Sequence, residues 1–176
     1  MVSKKSIGVK AVETAAGWVG IAWSQEGLVA INLPEPDEAA ALRRLPETSR
    51  PAPQAPPGLD VDGLADRLRR YFVGEDVRFD EPLDPSLGTA FQRQVWALTR
   101  AIPRGETRTY GQLARLAGHA GSARAVGQAM ARNPWPVIVP CHRVVGHDGR
   151  LTGFGGGLAL KQHMLEMEAG LMSSRI

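Results

Sequence analysis

In the first third of the chain the apolar residues fall in short runs and alternations. That two-residue period belongs to strands, whose successive side chains point to opposite faces. Residues 6–12, 17–23 and 28–33 carry the pattern, and the turn-forming pairs Ala16-Gly17 and Glu26-Gly27 separate them. The spacing then changes. Asp37 is placed to cap a helical run, AALRRL, that Pro46 ends. A second helix is predicted over residues 61–73, where Leu64, Leu68 and Tyr71 share a face and Gly74 is the stop signal. Between these helices, residues 46–58 hold five prolines and almost nothing apolar, so an exposed loop is expected there.

Residues 80–88, DEPLDPSLG, read as the joint between two domains, with an expected division into 1–84 and 85–176. Helical spacing prevails beyond it. Phe91, Val95, Leu98 and Ile102 recur at i, i+4, i+7 and i+11, and Pro103 with Gly105 closes that helix. Thr109 is placed to cap a short helix containing Leu113, Ala114 and Leu116. Gly118 breaks it, and Ser122 is placed to cap another carrying Ala125, Val126 and Met130. Two short helices joined by a glycine-containing turn match the helix-turn-helix pattern. Small residues (Gly121, Ser122, Ala123, Ala125, Gly127 and Ala129) crowd the second helix. They would admit either a DNA backbone or a closely packed neighbour, and the pattern alone leaves both open. A short buried strand over 137–139 and a last helix over 158–169 complete the set. The fold class is therefore α+β: a small N-terminal domain of sheet and helices, then a mainly helical domain.

Composition narrows the function little. Hydrophobic residues make up 43% and charged residues 22%, as in ordinary globular proteins. No apolar run is long enough to span a membrane, and MVSKKSIGVK lacks the apolar core of a signal peptide, so a cytoplasmic location is expected. The net charge of +3 is only mildly basic, but its distribution is uneven. Between Arg93 and Arg132 lie Arg100, Arg104, Arg108, Arg115 and Arg124, opposed only by Glu106, and that segment could face phosphates. A solvated helix surface would look the same.

A single cysteine excludes an intramolecular disulfide and any cysteine-rich zinc site, and the four histidines show no metal-ligand spacing. Such a cysteine is either an inert filler of the core or a thiol kept for its reactivity. Its neighbours bear on the choice. Cys141 follows the apolar run Val137-Ile138-Val139 and the stiffening Pro140, and His142 and Arg143, groups able to favour a thiolate, come next. The glycines of TGFGGG, residues 152–157, would let a tight loop pass over a flat ligand, or would simply turn the chain into its last helix.

Pro140-Cys141-His142-Arg143-Val144, with Asn133-Pro134 upstream and the glycine loop downstream, resembles the active-site signature of the O6-alkylguanine-DNA alkyltransferases. Further blocks occur in that family's order: Phe91-Gln92-Arg93-Gln94-Val95-Trp96, Gly105-Glu106-Thr107-Arg108-Thr109-Tyr110, Ala123-Arg124-Ala125-Val126-Gly127, and residues 165–168. The likeness is strong over residues 87–170 and weak before them. It implies DNA repair by one irreversible transfer of an alkyl group from guanine O6, with O4-alkylthymine a further candidate substrate, onto Cys141. In that reading His142 takes the thiol proton, Glu168 orients His142, Asn133 forms a hinge, and Tyr110 crowds the target phosphate and can protonate the departing base. Arg124 fills the gap left by the extruded nucleotide, while Gln92, Gly111, Ser122 and Ala123 contact DNA. Met130, Val144, Phe154 and Gly155 line the pocket. The implied partner is double-stranded DNA entered through its minor groove, by a monomer that needs neither cofactor nor metal and binds no membrane.

Departures from the family pattern are few. The chain has no cysteines for the zinc site that some members carry. It has Phe154-Gly155 where relatives have Tyr-Ser, and His163 and Met164 where Trp and an aliphatic residue are usual. Related lesion-binding proteins have tryptophan in place of the cysteine, so Cys141 speaks against that alternative. A cysteine hydrolase would need turnover and an oxyanion hole for which there is no signature. A plain helix-turn-helix regulator would make Cys141 an alkylation sensor, but nothing here is long enough to supply the separate regulatory domain that some relatives carry.

Overall fold

The computed structural model describes residues 5–48 and 52–171, which fall into two compact units, one ending at Leu87 and the other beginning at Gly88. Each unit has its own architecture, and the fold is α+β.

The first unit is an antiparallel meander of β1 (Gly8–Thr14), β2 (Gly17–Ser24) and β3 (Gly27–Ile31), with α1 (Glu38–Arg43) and α2 (Val61–Phe72) packed on it. Register pairs Val12 with Val19 and Ile21 with Ile31, all buried. In β2 the alternation breaks down because Val19, Gly20, Ile21 and Ala22 are all buried. Both faces of that strand are covered, and a side chain at Gly20 would meet Leu45 and the Ala41 carbonyl beside α1. Asp37 and Asp60 cap the two helices through their carboxylates, and Leu64, Leu68 and Tyr71 of α2 are buried as their spacing predicts. Residues 49–51 of the proline-rich loop lie outside the described residues. The rest carries no helix or strand, and Trp23 Nε1 pins it by donating to the Pro53 carbonyl at 3.0 Å.

The expected joint over 80–88 is in part a structural element of this unit. Leu83 bridges to Leu28, and Asp84, 1% exposed, accepts from Lys5 Nζ at 2.5 Å and Ser24 Oγ at 3.1 Å. Arg67 pairs with buried Glu81. The division consequently falls after Leu87, three residues beyond the expected position. Gly88 opens the second unit at φ 75°, where a side chain would run into the Trp96 ring.

In the second unit, α3 (Ala90–Arg100), α4 (Tyr110–Leu116) and α5 (Ala123–Ala131) pack on one another. Thr89 and Thr109 each close a reciprocal capping box, with Gln92 and Gln112. Ser122 stands at the N-cap of α5 but makes no side-chain cap bond, since its backbone (ψ 30°) is not in the extended conformation that aims the hydroxyl at the first turn. The buried stripe of α3 is Val95, Trp96 and Thr99, continued by Ile102, whereas Phe91 and Leu98 are half-buried. Trp96 decides that rotation: its Nε1 donates to the Ala129 carbonyl at 2.8 Å and its ring meets Trp135 edge-on. Leu116 is 61% exposed, because α4 turns only Leu113 and Ala114 inward.

Residues 137–139 are buried but form a turn, not the expected strand. Val137 sits at φ 77°, which interrupts an extended run and is costly for a β-branched residue, on the order of 1–3 kcal/mol. Val139 N, bonded to the Trp135 carbonyl at 2.8 Å, closes the turn. After it come one 3-10 turn (Cys141–Arg143), β5 (Val144–Val145) and α6 (Gly157–Glu168). A two-residue β4 (Arg108–Thr109) pairs in parallel with β5, a pairing the sequence pattern missed.

Removing the Thr89 hydroxyl strands the backbone N–H of Gln92 at the start of α3. Thr89→Ala should therefore lower unfolding stability by about 1 kcal/mol. Denaturant titration checks this: the midpoint should fall with no change in slope, and an unmoved midpoint would deny the cap any role.

Candidate active site around Cys141

Pro140, with φ held near its ring-locked value, feeds the chain into the 3-10 turn that Cys141 opens. Two backbone bonds set that turn, Cys141 N to the Val139 carbonyl at 2.7 Å and Arg143 N to the Pro140 carbonyl at 2.9 Å. Asn133, just beyond the C-cap of α5, braces the approach from both sides of its amide. Nδ2 donates to the Val139 carbonyl at 2.9 Å, and Oδ1 accepts from Trp135 N at 3.0 Å. The strained Val137 is thus held inside a closed set of hydrogen bonds, and Cys141 is fixed in position while remaining half-buried.

His142 is fully buried and points to α6, where its Nε2 lies 2.7 Å from Glu168 Oε1. Arg143 grips the same carboxylate, through Nε to Oε2 at 2.8 Å and Nη2 to Oε1 at 3.0 Å, and its Nη1 donates to the Ile102 carbonyl at 2.5 Å. Burial opposes the Glu168 charge, yet the hydrogen bonds from His142 and Arg143 prevail and hold its carboxyl well below the usual carboxylate range. An ionised carboxylate only accepts, so Nε2 carries the proton and Nδ1 of the neutral ring has the free lone pair. Burial also pushes the imidazole below its ordinary value, against the pull of Glu168. The ring is a neutral base with its tautomer set from behind.

Arg143 does not flank the sulfur as its place in the sequence suggests, because its guanidinium is committed to Glu168. The cation whose charge favours the thiolate is Lys161, buried on α6, a residue the sequence pattern did not single out. Burial pushes the Cys141 thiol up, against a hydrogen bond with Asn133 and the Lys161 charge. Lysine is seldom buried, and only its helical spacing from Met164 and Glu168 hinted at an inward position.

Cys141, His142, Asn133, Glu168 and Val144 thus come together around one turn. Tyr110, the first residue of α4, lies beside Gly127 of α5, and its hydroxyl accepts from Thr152 Oγ1 at 3.2 Å. Half-buried Phe154 and exposed Gly155 belong to the glycine loop that follows Thr152. Met130 is 7% exposed and lies in the α3–α5 packing, its sulfur 3.7 Å from the Thr99 hydroxyl. The remaining residues lie on the helix-turn-helix and α3: Arg124 exposed on α5, Gly111 in the first turn of α4, and Ser122 and Ala123 at the start of α5. Gln92 commits its side-chain oxygen to the Thr89 backbone N–H at 2.9 Å. An open groove of about 500 Å3, lined by Thr109, Gly111, Gln112, Arg115, Ala120, Gly121 and His147, runs along the same motif. Among the described residues no three His, Cys, Asp or Glu side chains could hold a metal ion, and no helix is long and apolar enough to cross a membrane.

His142 and Glu168 both bind protons less readily folded than unfolded, so acid favours the unfolded chain. Stability is full above the ordinary histidine value of 6.5, declines as pH falls below it, and declines further below the ordinary carboxylate value of 4.5. Melting temperature measured from neutral to acid pH should fall monotonically. A maximum in mild acid would contradict this arrangement.

Residues 90–170 match the family model for the DNA-binding domain of 6-O-methylguanine DNA methyltransferase. The methylated-DNA–protein-cysteine methyltransferase of Mycobacterium tuberculosis H37Rv is 47% identical over 129 residues, 72% of this chain and 78% of that one. Its namesake in Shigella flexneri is 46% identical over 110 residues, 62% of this chain and 64% of that one. Among solved structures, the M. tuberculosis O6-methylguanine methyltransferase superposes with a TM-score of 0.73 at 37% identity, covering 96% of each chain. The same enzyme in complex with DNA gives 0.74 at 38% identity, covering 94% of this chain and 95% of that one.

Proposed function

Since the chain belongs to the methylated-DNA–protein-cysteine methyltransferase family, we propose that it repairs DNA by moving an alkyl group from guanine O6 onto Cys141, once per molecule. The observation that carries this reading is the half-buried Cys141 followed by the buried His142–Glu168 pair, in the unit that holds the helix-turn-helix.

A thiol is a weak nucleophile until it loses its proton, and a neutral imidazole whose far nitrogen is anchored on a carboxylate is suited to take it. In our reading the proton passes to His142 Nδ1 through a water. Sγ then attacks the alkyl carbon, the S–C bond forms as the C–O6 bond breaks, and the electron pair leaves with guanine. A proton from Tyr110 neutralises the departing base and is replaced from the His142 side. The sum is a thioether and guanine, with no other reactant. Water does not cleave a thioether under these conditions, so each molecule reacts once.

Stacked bases shield O6 from in-line attack, so the nucleotide must leave the duplex, at a cost of a few kcal/mol. The exposed Arg124 on α5 is placed to fill the vacated space, and Tyr110, at the start of α4, to press on the target phosphate. The small residues of α5, Ala123 and Gly127 among them, allow a close approach to a minor groove, where readout of the bases is degenerate. Indifference to sequence suits a protein whose lesions can lie anywhere.

Intact mass after exposure to a methylated oligonucleotide tests the assignment. The protein should gain one CH2 unit, on Cys141, and Cys141→Ser should gain nothing while still binding alkylated duplex. Methyl transfer by the serine variant would sink it. Arg124→Ala should slow repair of duplex by about tenfold or more, a fraction of the unstacking energy, and leave reaction with a free alkylguanine nearly unchanged. Equal losses on both substrates would place Arg124 in the chemical step.

A further inference from the structure

Tyr110 is held at two places. Its ring edge lies against Gly127 of α5, where a side-chain carbon would come 3.9 Å from Cδ1 and Cε1. Its hydroxyl accepts from Thr152 Oγ1 at 3.2 Å, across 42 residues of sequence. Thr152 opens the glycine loop and is itself fixed. Its carbonyl accepts from Lys161 Nζ at 3.1 Å, and its Cγ2 methyl stands over Gly146, 3.6 Å from where a side-chain carbon there would lie. A β-branched side chain is stiff about its first torsion, so placing the methyl also places the hydroxyl. Thr152 is exposed, and water would serve its hydroxyl equally well. The repair chemistry above gives this bond to Tyr110 no part.

A phenol oxygen has one proton to give and lone pairs with which to accept. A proton handed to a departing base must point at that base, and the oxygen left behind becomes an anion in need of a donor. A hydroxyl that donates to the phenol oxygen meets both needs. It occupies a lone pair and leaves the phenol proton free for the substrate, and it is already in place when that proton goes. We propose that Thr152 is a positioning residue for protonation of the departing guanine: its hydroxyl donates to the Tyr110 oxygen, turns the phenol proton outward to the base, and stays bonded to the phenolate. The balance is that of the transfer described above, on which the proposal rests. The S–C bond forms, and the C–O6 bond breaks with its electron pair leaving on guanine. The Tyr110 proton passes to guanine, and Thr152 steadies the phenolate until a proton from the His142 side restores it. The charged side chains on the elements that meet Tyr110 are Arg115 of α4 and Arg124 of α5, both exposed, and Lys161 of α6, which holds the Thr152 carbonyl. Residues 152–157 carry no charge, so a change at the Thr152 hydroxyl leaves all of these in place.

Two alkyl donors separate this role from a structural one. Transfer from a free O6-alkylguanine needs a proton for the leaving base, whereas iodoacetamide alkylates the same sulfur and its iodide leaves without one. Thr152→Val keeps the branched shape and removes the hydroxyl, and Thr152→Ser keeps the hydroxyl. In Thr152→Val the maximal single-turnover rate from O6-alkylguanine should fall about fivefold, the worth of one ordinary hydrogen bond, with the half-saturating concentration unchanged. Thr152→Ser should recover most of that rate, and all variants should react with iodoacetamide as the unsubstituted protein does. In a Tyr110→Phe background, where no phenol proton remains to be aimed, adding Thr152→Val should cost nothing further. A transfer rate unchanged by Thr152→Val would overturn the proposal. So would a fivefold loss that persists in Tyr110→Phe, or one matched by iodoacetamide, since either would make Thr152 a support of the loop alone. Absence of transfer from O6-alkylguanine in the unsubstituted protein would reject the transferase reading itself, and the proposal with it.

Discussion

The Glu168 carboxylate has no exposed side-chain surface, and a charge so placed persists only where donors surround it. Here the donors are two consecutive residues, His142 and Arg143, both immediately after Cys141. That adjacency makes the clamp directional. Holding both side chains on one carboxylate sets the 3-10 turn against α6, and the turn in turn sets where the sulfur points. It also fixes which imidazole nitrogen bears the proton. Losing either donor would leave a buried carboxylate half compensated, so the arrangement that orients the base also fastens α6 to the cysteine turn.

On the other side of the cysteine the constraint is backbone geometry. Val137 occupies a conformation that costs a β-branched residue free energy, and Asn133 holds it there from the end of α5. The helix proposed to lie on DNA and the turn that presents the thiol therefore share one side chain. Any displacement of α5 is felt at the Val139 carbonyl two residues before Cys141. Rigidity in this stretch serves a nucleophile that must meet a carbon in line, since an extruded base presents its alkyl group in one orientation only.

Much of this was legible without coordinates. Asp37 and Thr109 announced helix starts because a short oxygen-bearing side chain before an apolar period satisfies the orphaned amides of the first turn, an interaction spanning three residues. The spacing of Leu64, Leu68 and Tyr71 foretold a buried face, since helical geometry alone brings those positions together. The motif around Cys141, with its companion blocks, identified the family.

What only the tertiary structure decided depends on groups distant in sequence. The apolar run Val137-Ile138-Val139 reads as a strand by composition, but bonds from Asn133 to the Val139 carbonyl and from Val139 N to Trp135 fold it into a turn. Arg143 stands beside Cys141 in sequence yet spends its charge on Glu168, 25 residues away. Lys161, far from the motif, is instead the buried cation that donates to the Val144 carbonyl, on the strand that leaves the cysteine turn. The pairing of β4 with β5, two residues each, carries no periodic signal at all. Local pattern reports what a few neighbouring residues can satisfy among themselves. Which groups reach the cysteine turn is settled by which helix packs against it, and that depends on the whole unit's core.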